Sequence, residues 1–86
     1  MEYVKDLPNI GVILAGKLES AGIITYEDLC EVGSIAAFKK ITLQPGDGCA
    51  NMLYALEGAI RKIRWHDIPK DERARLWNDY SIQSQL

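Results

Sequence analysis

The sequence predicts an all-α domain, five short helices packed around one core. Three observations carry this. Apolar residues recur at helical spacing in successive segments. Helix-starting and helix-stopping residues punctuate those segments. No run alternates with period two for long enough to require a strand.

Glu2 to Asp6 has room for one helical turn only. Ile10, Ile13, Leu14 and Leu18 then share a face of a first main helix. Gly22 ends it as a left-handed cap, with Ile23 as the apolar residue such caps favour. Thr25 and Asp28 read as a capping box opening a short helix, Tyr26 to Val32, which presents Leu29 and Val32. Gly33 stops it, and Ser34 is expected to cap a third helix carrying Ile35, Phe38 and Ile41. QPGDG at 44–48 is a loop by composition.

The longest predicted helix covers about residues 49–64, with Met52, Leu53, Leu56, Ile60 and Ile63 as its stripe. Ala55, Gly58 and Ala59 are small enough for a neighbour to approach closely. After WHDIP at 65–69, Pro69 suits the first turn of a last helix, and Asp71 and Glu72 complement its positive end. Leu76, Trp77 and Tyr80 can face inward, and residues 81–86 are expected to fray. The predicted core is Leu7, Ile10, Leu14, Leu18, Leu29, Phe38, Leu53, Leu56 and Ile60.

Eighty-six residues make one domain with one modest core. The longest uncharged stretch, Leu7 to Gly16, is too short to cross a bilayer, and MEYVKDLPN lacks the pattern of a secretory signal. A soluble, cytoplasmic protein is therefore expected. Cys30 and Cys49 are then reduced, buried thiols. With His66 the sole histidine, Cys and His cannot supply a zinc site. GDG at 46–48 lacks the Lys-Ser/Thr that completes a phosphate loop. His66 reads as a solvent-facing ring or one stacked on Trp65, with Asp67 capping the last helix. Trp65 and Trp77 read as core or rim packing. No catalytic constellation, metal site or cofactor cradle emerges.

The net charge of −2 is unevenly spread. Residues 1–33 hold six acids and two bases, whereas residues 61–75 hold six bases and three acids. The acidic end is expected at the turn LPNIG, residues 7–11.

LPNIGVILAGKLESAGI resembles a helix–hairpin–helix element of the L-P-G-I-G type, whose hairpin offers backbone N–H groups to a DNA phosphate. Together with TYEDL, AAFKKI and CANMLYALEGAIRKIRWHDIP, it resembles the C-terminal domain of the TfoX/Sxy family, over about residues 3–80. That family is linked to bacterial competence for DNA uptake. The resemblance implies a SAM-domain-like, all-α fold containing a degenerate helix–hairpin–helix. Full regulators of the family carry a separate N-terminal domain that these residues do not contain, so the resemblance speaks for the C-terminal domain alone.

Asn9 stands where the hairpin motif has its first glycine, and Val12, Ile13 and Leu14 stand where DNA-binding hairpins often place cations or hydroxyls. Lys17 is the one cation close by in sequence. Two readings of LPNIG follow. In the first it is a structural corner, with Pro8 fixing the approach, Asn9 capping the helix and Gly11 allowing close backbone packing. In the second, amides at Gly11 and Val12 grip a phosphate.

Two functions remain. One is a protein-interaction module that binds another protein or itself, with residues 1–33 of one copy facing residues 61–75 of the next. The other is a DNA binder using the hairpin and a basic strip of Arg61, Lys62, Arg64, Lys70, Arg73 and Arg75. The acidic hairpin region disfavours DNA. As a solvated helix face, the same strip needs no partner, and Arg61 and Arg64 also suit a helix C-terminus. The predicted core itself is open to test: Leu56→Ala should lower stability by about 2–5 kcal/mol in urea denaturation.

Overall fold

The computed structural model describes residues 2–42 and 50–84. A single 3-10 turn, Val4–Asp6, precedes α1 (Val12–Ser20), α2 (Tyr26–Val32), α3 (Ser34–Ile41), α4 (Ala50–Arg61) and α5 (Lys70–Ser84), and a second 3-10 turn, Trp65–Asp67, joins the last two. The loop expected at 44–48 and the thiol of Cys49 lie outside the described residues. Extended pairing among the described residues is one antiparallel bridge between Tyr3 and Thr25. Through it the Val4 N–H donates to the Ile24 carbonyl at 3.0 Å, and the Tyr26 N–H to the Glu2 carbonyl at 2.8 Å.

Local chemistry explains the boundaries. At the end of α1, Gly22 has φ +85°, the left-handed region open to glycine. The Ile23 N–H then reaches the Leu18 carbonyl at 2.9 Å and the Gly22 N–H the Glu19 carbonyl at 3.0 Å, a Schellman motif. The capping box of α2 is complete. The Asp28 N–H donates to Thr25 Oγ1 at 3.1 Å, and Asp28 Oδ2 accepts the Thr25 N–H at 3.1 Å. Gly33, at φ +87°, is both the stop of α2 and the N-cap of α3.

Ser34 is therefore not a cap. It is the first residue of α3, and its hydroxyl donates to Glu57 Oε1 at 2.7 Å, joining α3 to α4. Pro69 likewise stands one position earlier than expected, with its carbonyl accepting the Arg73 N–H at 3.0 Å from just outside α5.

The core contains Val4, Leu7, Ile10, Ala15, Leu18, Ile23, Leu29, Ala37, Phe38, Ile41, Leu53, Leu56 and Ala59. α3 lies along α4, α2 rests on both, and α5 packs across the α3–α4 pair. Tyr80 meets the Phe38 ring edge-on at a centroid distance of 4.8 Å.

Several positions depart from the expectation. Leu14 and Ile60 are only half buried. Ile13 is 78% exposed. Each helical residue turns the side chain by about 100°, so the seam through Leu14, Ala15 and Leu18 leaves Ile13 on the outer side. Cys30 is exposed rather than buried, since it lies off the α2 stripe that buries Leu29. α4 stops at Arg61, short of 64, and α5 continues to Ser84 where fraying was expected. No described helix is long and apolar enough to cross a membrane.

The α2 cap predicts acid sensitivity. Backbone hydrogen bonds from Thr25 and then Ile24 hold the Asp28 carboxyl below its ordinary value. The stabilisation is then complete above an unfolded pKa of about 3.9 and is lost as pH falls through the lower folded value. Circular dichroism should show a shallower acid limb for Asp28→Asn than for the parent chain.

Candidate functional site

The turn at residues 7–11 is held down by Asn9. Its backbone is left-handed, φ +70°, a conformation that asparagine tolerates better than other side chains. Its side chain reaches the far end of α4. Nδ2 donates to the Ile63 carbonyl at 2.8 Å and approaches the Ala55 carbonyl at 3.4 Å, while Oδ1 accepts the Trp65 N–H at 3.1 Å. Asn9 is thus a clamp across the fold, not the cap of α1. The N-cap of α1 is Gly11, with no side-chain cap.

Gly58 makes the clamp possible. A Cβ there would stand 2.5 Å from Asn9 Nδ2, 2.9 Å from the Ile63 carbonyl oxygen and 3.1 Å from the Trp65 nitrogen. The run of small residues on α4 therefore receives the turn itself. Gly11 is different. It has extended backbone, and a Cβ would meet nothing within 4 Å. Close packing does not explain this glycine, contrary to the expectation for a structural corner. It lies exposed beside Val12, 90% exposed, and Ile13.

The end of α4 is unusual in its chemistry. The left-handed residue after the helix is Lys62, at φ +59°, where glycine is the common choice. The Ile63 N–H returns to the Gly58 carbonyl at 2.9 Å. Lys62 Nζ pairs with Glu2 Oε1 at 2.7 Å and lies 4.4 Å from the Tyr26 ring centroid, while the Tyr26 hydroxyl donates to the Ile60 carbonyl at 2.6 Å. The hydrogen bond to Glu2 raises the Lys62 pKa.

The basic strip is largely engaged within the chain. Arg61 Nε contacts Glu57 at 2.8 Å and its NH1 contacts Glu72 at 3.3 Å, which raises its pKa, the Glu57 hydrogen bond first among the causes. The Arg73 guanidinium sits 5.6 Å from the Trp65 ring centroid and 5.9 Å from that of Tyr54. Arg75 lies 3.8 Å from Asp71, an exposed pair. Arg64 and Lys70 are exposed and have no ion-pair partner among the described residues. Lys17 lies elsewhere, in an open groove of about 500 Å³ between α1 and the end of α3, with Ile13, Lys40 and Ile41. His66 is exposed and stacks on Trp65 at 3.9 Å between centroids. Asp67 belongs to the 3-10 turn and donates its N–H to the Arg64 carbonyl at 2.9 Å. Trp65 packs on Tyr54, and Trp77 forms part of the rim, 37% exposed and against Phe38.

The acidic turn and the basic segment are therefore not opposite ends. Asn9 brings the turn against Ile63 and Trp65, and Lys62 meets Glu2. Sequence reading missed the pairing of Glu2 with Lys62 and of Glu57 with Ser34, partners on other elements where spacing gives no signal, and the place of Lys40 beside Lys17 in the groove.

The family model for the TfoX C-terminal domain matches residues 1–80. The chain belongs to the TfoX C-terminal domain family. Two crystal structures of Listeria monocytogenes proteins share its fold. One, an uncharacterized protein in triclinic form, is 38% identical with a TM-score of 0.85, over 95% of this chain and 93% of that one. The other, a protein of unknown function in tetragonal form, is 39% identical with a TM-score of 0.83, over 93% of this chain and 98% of that one. No curated protein matches the chain.

The two glycines separate support of the fold from exposure. Gly58→Ala should destabilise the domain by about 1–3 kcal/mol, because two of the three crowded atoms are backbone. Gly11→Ala should lower the thermal midpoint less than Gly58→Ala does, since its Cβ enters open space and the cost is that of alanine at an N-cap.

Proposed function

We propose that this domain is a cytoplasmic, non-enzymatic regulatory module that binds a protein partner, in the setting of bacterial competence that its family implies. Membership of the TfoX C-terminal domain family suggests a regulatory domain. The observation that carries the binding mode is the exposure of Val12 at 90% and Ile13 at 78%, adjacent at the start of α1. Two large aliphatic side chains left in water at one place favour a protein contact. A phosphate-gripping hairpin needs cations there, and Arg61, Lys62 and Arg73 are engaged by Glu57, Glu2 and the Trp65–Tyr54 rings.

One observation favours DNA as the second reading. Gly11 is exposed and a Cβ there would meet nothing within 4 Å, which leaves this backbone open to close approach, and Asn9 brings the turn towards the segment that carries Arg64.

Photo-crosslinking from position 13 separates the two. A benzoylphenylalanine in place of Ile13 should give adducts that resist nuclease and yield to protease. Fluorescence anisotropy with a DNA duplex should show no tight binding at about 50 mM salt, whereas phosphate contacts would give affinity that falls steeply towards about 200 mM. Nuclease-sensitive adducts or salt-steep duplex binding would replace the protein reading with the DNA one.

A further inference from the structure

The α1–α3 groove deepens the interaction reading, on which this inference rests. Ile13 and Lys17 of α1 and Lys40 and Ile41 of α3 line the groove, and Val12 stands exposed beside Ile13. Neither lysine has an ion-pair partner among the described residues. The groove thus joins apolar side chains to two positive ones.

The same chain carries a counterpart. Ile24 is 44% exposed just before α2, and Tyr3, across the bridge from Thr25, is 40% exposed. Glu27 and Glu31 follow on α2, both exposed and without an ion-pair partner among the described residues. Their i,i+4 spacing places them on one face of the helix, and Ile24 stands just before its N-cap, Thr25. α2 thus presents a negative stripe, with an exposed apolar residue before its start. The two surfaces share no residue.

We infer that the groove receives the Glu27–Glu31 face of α2 from a second copy of this chain. Glu27 and Glu31 would meet Lys17 and Lys40, and Ile24, just before α2, would cover Ile13. Every copy offers both surfaces, so the contact either closes into a ring or pair, or repeats along a chain. The exchange differs from one between residues 1–33 and the strip at 61–75, because that strip is already engaged by Glu2, Glu57 and Glu72 within the molecule. Only a few side chains take part, so the contact is weak and salt-sensitive.

Sedimentation velocity tests this on the whole chain, at low salt and up to about 1 mM protein, the range of such small interfaces. The parent chain should exceed monomer mass at the top of this range and return to monomer when salt is raised. Lys17→Glu with Lys40→Glu should weaken association at least tenfold (about 1.4 kcal/mol), as like charges then face each other. Glu27→Lys with Glu31→Lys should do the same. Mixing the two reversed chains should restore association, because each then offers the other a matching surface. Ile13→Asp provides a fifth sample and should be monomeric without loss of helicity. A parent chain monomeric throughout would overturn the inference, as would reversed chains that associate alone or fail to associate when mixed. A protein adduct from position 13 beside a monomeric parent would overturn it while leaving the interaction reading standing.

Discussion

The Asn9 side chain is the joint on which the rest of the arrangement depends. One amide satisfies a carbonyl and an N–H beyond the end of α4, and it does so from a turn more than fifty residues earlier. Those two groups sit where a helix end leaves backbone unsatisfied. Buried polar groups left without a partner cost about 1–3 kcal/mol each, so the clamp is worth more than a surface contact. It also holds the Trp65 backbone, and the Trp65 ring packs on Tyr54, stacks with His66 and lies beside Arg73. The departure from glycine at position 9 thereby gains a physical reason. Asparagine keeps the left-handed backbone that the turn needs and adds a side chain that glycine lacks.

Charge plays a different part. The pairs Arg61–Glu72 and Lys62–Glu2 are exposed, and such pairs contribute about 0–1 kcal/mol. Their effect is on position and on availability. Glu57 accepts from Ser34 on one oxygen and from Arg61 on the other, so one carboxylate organises the junction of α3, α4 and, through Arg61, α5. A basic segment spent in this way presents less field to a polyanion than its composition suggests.

What was legible in the sequence was local. Thr25 and Asp28 specify the start of α2, Gly22 and Ile23 the end of α1, and Leu53 and Leu56 of the expected stripe the inner face of α4, because caps and helical spacing act over a few residues. What escaped was decided at a distance. Ile13 fits a helical pattern as well as Leu14 does, and only the direction of the α3–α4 pair decides which of them is covered. Lys62 at a left-handed position carries no local mark, since IRKIRW continues a plausible helix and the compensating Glu2 lies 60 residues away. Ser34 reads as a cap until Glu57, on another helix, takes its hydroxyl.

The Asn9 clamp also sets an order of events for the chain. Each helix is closed by bonds spanning three to five residues, whereas the clamp joins groups 46, 54 and 56 residues apart. Contacts between such distant points must overcome loop-closure entropy before they contribute anything, so they form after the local turns. The turn that displays Gly11, Val12 and Ile13 is therefore tied to the end of α4 only once the chain has closed on itself. A binding partner that grips it would slow hydrogen exchange at the Trp65 amide, on the far side of the clamp.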